Sequence, residues 1–382
     1  MHVKRGFMKK SMMALIVNIA AISVIFFACS KGGKDTPDPG DNEKFDKTAM
    51  LTYYVDQMII PGYTAFQQKT NALQTAVAAF AEAPSPATQT EAIAALKTAH
   101  LQYQQIEAFN NLTPATSATL EYSVNFCGGL TNTDLLLNGF SVDSVTIENN
   151  ISTGVYNLSE YSNTSFYSQG FPALGYLIAG PDAIAKFAAN TANRVKYIND
   201  VAERIKVLAD KVVSDWGIYR STFIGNTQSN VGSPIGNLVN QMAYEMDVLK
   251  GPRIGWPFGK QSNGQVFSTK VEGYFTGNSI ALAVANLKNL KLVYTAGGSG
   301  KGFSDYLNAL GKQSLNSMIS SQFDITITKL EAIPDPLSNS LVAEATAVNT
   351  AYGEIQKLLT LIKTDMASAT GVQISFMDND GD

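Results

Sequence analysis

Histidine and cysteine are scarce in this chain, two of each among 382 residues. His2 and Cys29 both fall in or at the end of an N-terminal leader, so His100 and Cys127 are the imidazole and the thiol of everything that follows. No disulfide can form within that part. A zinc site of the usual His or Cys type cannot be built from one of each unless carboxylates fill the rest. His100 lies between Leu96 and Tyr103 at helical spacing and reads as a core or interhelical histidine. Cys127, beside Phe126 and Gly128-Gly129, reads as a packed thiol. Nothing local supports a Cys127–His100 nucleophile pair.

Basic charge is also short. There are 28 Lys and Arg against 32 Asp and Glu, a net of −4. Lys4, Arg5, Lys9 and Lys10 sit in the leader, and without them the net charge is ~−8. No nucleic-acid partner is expected, because phosphates need basic patches to offset them. A charge of this size serves solubility. Strict polar–apolar alternation is nearly absent as well, which leaves little room for sheets.

What is present begins with an export signal. The basic start leads into an apolar run from Met12 to Ala28, closed by Phe26-Phe27-Ala28-Cys29-Ser30. A small residue before cysteine matches a bacterial lipoprotein signal. The run is about 17 residues, the lower limit for spanning a bilayer, so lipidation of Cys29 is favoured over a transmembrane anchor. Acyl chains would hold the chain on a membrane surface without crossing it. Residues 1–28 are thus the signal, and 29–45 a tether whose Lys31–Lys44 stretch is rich in Gly, Pro, Asp and Lys. Residues 46–382 make the folded part, with a subdomain division expected near 251–264.

Helical periodicity dominates that part. Val55, Ile59, Tyr63, Phe66, Leu73, Val77 and Phe80 make one stripe, with Pro61 expected to kink or restart it. Ile93, Leu96, His100, Tyr103 and Ile106 make the next. Ala115–Leu137 is apolar in patches. Asn138–Gln169 is irregular, apart from a short helix over Asp143–Ile151. Irregular stretches of this length are often functional. The strongest stripe runs Ile198, Val201, Ile205, Leu208, Val212, Trp216, Tyr219, Phe223. Ile235, Leu238, Met242, Met246 and Leu249 follow, then a Gly/Pro-rich connection from Gly251 to Gly264. Ile280 to Tyr294 keeps the period, with Lys291 as a flaw. Phe303–Leu330 reads as helix, with Ile325-Thr326-Ile327-Thr328 as a competing strand signal. Ile333-Pro334-Asp335-Pro336 breaks it. Leu341, Ala345, Val348, Tyr352, Ile355, Leu359, Ile362 and Met366 alternate four and three steps, the pattern of an antiparallel seam. The expectation is an all-α fold of antiparallel helical bundles, as two packed four-helix-type subdomains.

The segment Gly170-Phe171-Pro172-Ala173-Leu174-Gly175-Tyr176 opens a short helix that Gly180-Pro181 ends. Positions 172 and 175 share a face. These surroundings resemble the imelysin family, whose name-giving member is regarded as a peptidase. The family pattern here is Gly-x-His-x-x-Glu. Gly170 matches it, while Pro172 stands for the His and Gly175 for the Glu. The likeness extends over the whole 46–382 part. Ile60-Pro61 resembles the family's opening. Arg253-Ile254-Gly255-Trp256-Pro257-Phe258-Gly259-Lys260 is similar to its Arg-Ile-Gly-x-Pro-Leu-Gly-Lys segment. Val271-Glu272-Gly273-Tyr274-Phe275 resembles its Glu-Ser segment, with Gly273 for serine. Thr370 to Asp382 resembles its Gly-Val…Phe-Asn…Asp-Gly-Asp finish.

The resemblance implies two packed helical bundles with the motif near their junction. It also implies an exported, surface-attached protein linked to iron or haem uptake. Phe171, Tyr176, Arg253, Lys260 and Glu272 are candidates for a binding surface, while Arg253, Lys260 and Glu272 also read as paired surface charges. Asp378, Asp380 and Asp382 carry half a calcium-loop pattern and read as a solvated acidic tail. Catalysis by a metal-bound water needs a metal ligand and a base, and Pro172 and Gly175 supply neither. The expected function is a non-catalytic, membrane-anchored binding or accessory lipoprotein of the outer membrane, with an uptake partner. No cofactor is assigned; a haem would have to use His100, a Met or a Tyr. The alternatives are a metallopeptidase, and a scaffold or glycan-binding protein using an aromatic face from Tyr156, Tyr161, Phe166 and Tyr167.

Overall fold

A computed structural model describes residues 45–129, 138–189 and 192–375. Cys29, the leader, most of the tether and the Asp378–Asp382 tail lie outside the described residues. Eight principal helices carry the fold: α1 (Ile60–Glu82), α2 (Pro86–Tyr103), α3 (Gly170–Ala179), α4 (Ala192–Gly225), α5 (Pro234–Val248), α6 (Ser279–Thr295), α7 (Gln313–Glu331) and α8 (Ala345–Thr360). Among the described residues there is no strand, and Gly128 and Gly139 form an isolated bridge. No helix among them is long and apolar enough to cross a membrane.

Local signals set the boundaries. The chain is helical from Lys47, but the turn Tyr54–Ile59 is a π-helix directly before Pro61. Pro61 has no N–H to give, and the wider turn restarts the helix there. Ser85 caps α2 reciprocally with Thr88, and Pro86 occupies its first turn. Asp143 caps the helix Ser144–Thr153, and left-handed Gly154 closes it.

The helices gather in two groups. α1 packs on α2 and α4, and α3 packs on α2 and α4. α7 packs on α6 and α8, and α8 also meets α5. The stripe on α4 is buried from Ile198 to Phe223, with Tyr219 half-buried. α5 is buried on nearly every side, and Asn240, Gln241 and Glu245 go into the interior with its methionines. The groups meet where the short turn Glu107–Phe109, after α2, packs on α5 and α6.

Three segments depart from the periodic reading. The stretch from Gly251 is not simply a connection, because helix continues as a π turn over Leu249–Gly255 with Pro252 inside it and most of it buried. Phe303–Leu330 is two helices, Phe303–Ala309 and α7, separated at Gly311, whose φ of 72° suits glycine. The final stripe is interrupted at Glu344, so Leu337–Ala343 is a separate helix and Ala345 is exposed. Ile325–Thr328 lies inside α7, where Phe323, Thr326, Ile327 and Leu330 face the core. Tertiary burial overrides their β-branched preference there.

Candidate functional site

The motif segment forms α3 as its sequence demands. Gly170 opens the helix with φ of 73°, and a Cβ there would lie 2.4 Å from the Val124 carbonyl oxygen. Only glycine admits that approach. Pro172 and Gly175 then line one wall of a cavity of about 30 Å³, room for one or two waters. Neither carries a donor or acceptor in its side chain. Leu96 and His100 of α2 add to the lining, and Val271, Gly273 and Phe275 close it. Gly175 faces Phe275, whose Cβ would lie 3.4 Å from a Cβ added to the glycine.

His100 connects this cavity to a buried charge cluster. Its ring stacks on Phe171 at 4.5 Å, and its Nε2 lies 3.1 Å from Glu272 Oε1. Phe171 is buried, not surface-exposed, because it packs between His100, Phe66 and Tyr103. Behind Glu272 sits Arg253, 3 % exposed. Its Nε donates to Glu272 Oε2 at 2.7 Å, one terminal nitrogen to Glu245 Oε2 at 3.2 Å, and the other to Glu107 Oε2. Three carboxylates therefore converge on one guanidinium.

Amide side chains satisfy the remaining carboxylate oxygens. Asn125 donates to both Glu107 Oε1 (3.1 Å) and Glu272 Oε1 (2.7 Å). Asn286 donates to Oε2 of both Glu107 (2.9 Å) and Glu245 (3.0 Å). Gln104 donates to Glu272 at 2.9 Å, and Gln241 to Glu245 at 2.9 Å. Because every amide spends its N–H groups, the carbonyl oxygens of Gln104, Asn125 and Asn286 are buried without a partner. The cluster is thus rich in acceptors and poor in donors.

Protons relieve part of that excess. Burial, with the neighbouring carboxylates, pushes Glu107 up to about 8 against the pull of Arg253. Burial likewise raises Glu245. Glu272 goes the other way. Burial raises it, but the Arg253 guanidinium and the His100 ring together hold it down to about 2. Arg253 stays charged because three acids surround it. At neutral pH the core of the site is therefore an ionised Glu272–Arg253 pair beside a protonated Glu107.

The other expected residues scatter. Arg253 and Glu272 are not surface charges; each is almost fully buried, because the partner network offsets the loss of water. Lys260 is exposed over the Tyr352 ring, apart from them. Tyr176 points away to Glu148, which also binds Arg194. Cys127 is half-buried, and burial raises its thiol well above the usual range. Tyr161, Phe166 and Tyr167 do form an aromatic group, with Tyr122 and Phe126, whereas Tyr156 packs on Tyr197. Sequence reasoning missed Glu107, Glu245 and the four amides. A signal existed in α5, where polar residues interrupt a face that is otherwise continuous methionine and aliphatic.

The model of the imelysin family matches residues 59–364. The chain belongs to the imelysin family. Two crystal structures share the fold. A protein named as an iron-regulated protein A precursor, from Parabacteroides distasonis ATCC 8503, has 19 % identity and a TM-score of 0.70, covering 87 % of this chain and 97 % of its own. An imelysin-like protein from Psychrobacter arcticum 273-4 has 16 % identity and a TM-score of 0.63, covering 86 % and 97 %. None of the curated proteins compared with the chain matches it.

A metal at the imelysin motif does not fit the residues present. Pro172 and Gly175 have no ligand atoms, His100 Nε2 already faces Glu272, and both Glu272 oxygens are engaged. Among the described residues no three His, Cys, Asp or Glu are arranged to hold a metal ion.

Proposed function

We propose that this imelysin-family protein is a lipid-anchored accessory protein of the outer membrane that serves iron or haem uptake by binding rather than by hydrolysis. The observation that carries the reading is the pair Pro172 and Gly175 on the cavity wall. A metal-assisted hydrolase needs a ligand and a proton acceptor there, and this chain supplies a proline ring and a hydrogen atom. The iron connection draws on the family and on the iron-regulated name of the Parabacteroides neighbour. Attachment through Cys29 draws on the leader and its closing Ala28-Cys29-Ser30. A cavity for one or two waters also leaves no room for a porphyrin, so haem would seat elsewhere on the surface.

The test titrates ferric and ferrous salts and haemin into the full chain, following thermal unfolding and the haem absorption band. A strain lacking the protein is compared with its parent under iron limitation. A ligand-dependent shift in Tm together with slower iron-limited growth supports the reading. No shift with any of the three and unchanged growth sinks it, as does chelator-sensitive cleavage of a protein substrate.

A further inference from the structure

Away from the motif cavity, a cleft of about 340 Å³ opens between the segment after the Glu107–Phe109 turn, the helix Leu120–Val124 and α5. Its chemistry is uniform. The amides of Asn110, Asn111, Asn240 and Gln241 and the hydroxyls of Thr116, Tyr244 and Ser375 line it. Glu121 is its one carboxylate among the described residues, and accepts from the Tyr244 hydroxyl at 2.8 Å. Among the described residues no lysine or arginine lines the cleft, so a phosphate or carboxylate finds no counter-charge there. A single carboxylate is too few for a hard cation. The lining offers no aliphatic wall for an apolar ligand.

One amide of the lining lacks a partner that a ligand or water can supply. Asn110 is 4 % exposed and gives its Nδ2 to the Tyr103 hydroxyl at 2.9 Å, while its Oδ1 is buried without a partner. An orphaned buried acceptor costs about 1–3 kcal/mol until a donor reaches it. Gln241, also in the lining, spends its Nε2 on the Glu107 carbonyl and Glu245 Oε1. Asn110 Oδ1 is thus open to an O–H donor.

The rim adds aromatic surface. Tyr122 borders the cleft and is 37 % exposed, and Tyr161, 65 % exposed, meets it edge-on at 5.3 Å. Phe166 backs both rings, at 5.2 and 4.9 Å. Two exposed rings held in place by a buried third make a ledge with apolar faces and polar tips.

We propose that the Asn110–Tyr244 cleft and the Tyr122–Tyr161 ledge bind a neutral saccharide, one sugar ring hydrogen-bonded by the amides and the next lying on the tyrosines. The volume is that of a small-ligand pocket. Hydroxyl groups serve both kinds of partner, donating to the amide oxygens and accepting from the amide N–H groups of Asn111.

The test is calorimetric titration of the full chain with maltohexaose, mannohexaose and xylohexaose, each beside a sulfated counterpart. Saturable binding of at least one neutral probe is expected. Tyr122→Ala and Asn111→Ala, both at exposed positions, weaken it tenfold or more with unfolding temperature unchanged. Tyr274→Ala, beside the motif cavity, leaves it as it was. The proposal is overturned if no neutral probe binds, if the double variant Tyr122→Ala/Tyr161→Ala binds as well as the parent, or if the sulfated probes bind more tightly.

Discussion

Replacing Glu107 by glutamine removes a buried proton-binding group while keeping its shape. In the folded protein burial pushes this carboxyl from its ordinary 4.5 up to about 8. The folded state therefore holds a proton that the unfolded chain releases. Between those two values the folded state binds more protons than the unfolded one, so stability falls as pH rises. The contribution is fully present below 4.5, declines through the window, and is gone above 8. One proton corresponds to a slope of about 1.4 kcal/mol per pH unit, or about 4 kcal/mol between pH 5 and 8. Burial raises Glu245 and Glu121 as well, so each adds to the loss of stability as pH rises above the ordinary carboxylate range. Glu272 is held low, so its contribution is present above 4.5 and lost only in more acid solution.

Glutamine mimics the protonated acid. Its carbonyl can accept from Arg253 and Asn286 as Glu107 does. Its N–H groups then face Asn125, whose unpartnered Oδ1 becomes their acceptor when that amide turns over. The Glu107→Gln variant should thus match the parent near pH 5 and exceed it near pH 8. Urea denaturation at half-unit pH steps reads both curves. Parallel curves, with the parent and variant losing stability equally from pH 5 to 8, would refute the buried-proton account.

Arg253→Met leaves the ionised Glu272 without its cation beside two further acids and should cost about 3–5 kcal/mol in urea unfolding at neutral pH. Gly170→Ala forces a side chain onto the Val124 carbonyl at positive φ and should cost about 3 kcal/mol or more, read as a lowered Tm. Gly175→Ala should gain about 0.8–1 kcal/mol, because the new methyl meets Phe275 at ordinary contact distance and the helix loses a flexible residue. A loss of stability there would mean that the space is needed.

Helix periodicity carried most of the architecture, because each long stripe buries one face regardless of what it packs against. The residues from Ile198 to Phe223 needed no tertiary information to be placed. Breaks were harder. Gly311 ends a helix through its backbone angle while the apolar spacing runs on past it. Pro252 looks like a terminator, yet the π turn absorbs it and keeps Arg253 inside the protein. The motif positions were legible by spacing and do share the cavity wall. The charge cluster was not legible, since His100, Glu107, Asn125, Glu245, Arg253, Glu272 and Asn286 come from separate elements. A single glutamate gives no sign in sequence of whether it ends in water or beside a buried guanidinium.

The three motif positions have different physical duties, and that difference accounts for which one this chain keeps. Gly170 answers to the backbone. Any side chain collides with the Val124 carbonyl, so the fold itself demands glycine whatever the site does. Positions 172 and 175 answer to the cavity, and nothing in the packing of α3 requires a polar group there. Pro172 and Gly175 leave the helix intact and add no ligand atom to the cavity wall. The charged network behind His100 is bound by a stricter condition. Removing either Arg253 or Glu272 strands the other's charge in the interior, at a cost of about 3–5 kcal/mol. A chain under no demand for chemistry at the motif can therefore vary 172 and 175 singly, whereas the cluster is held in place by its own burial.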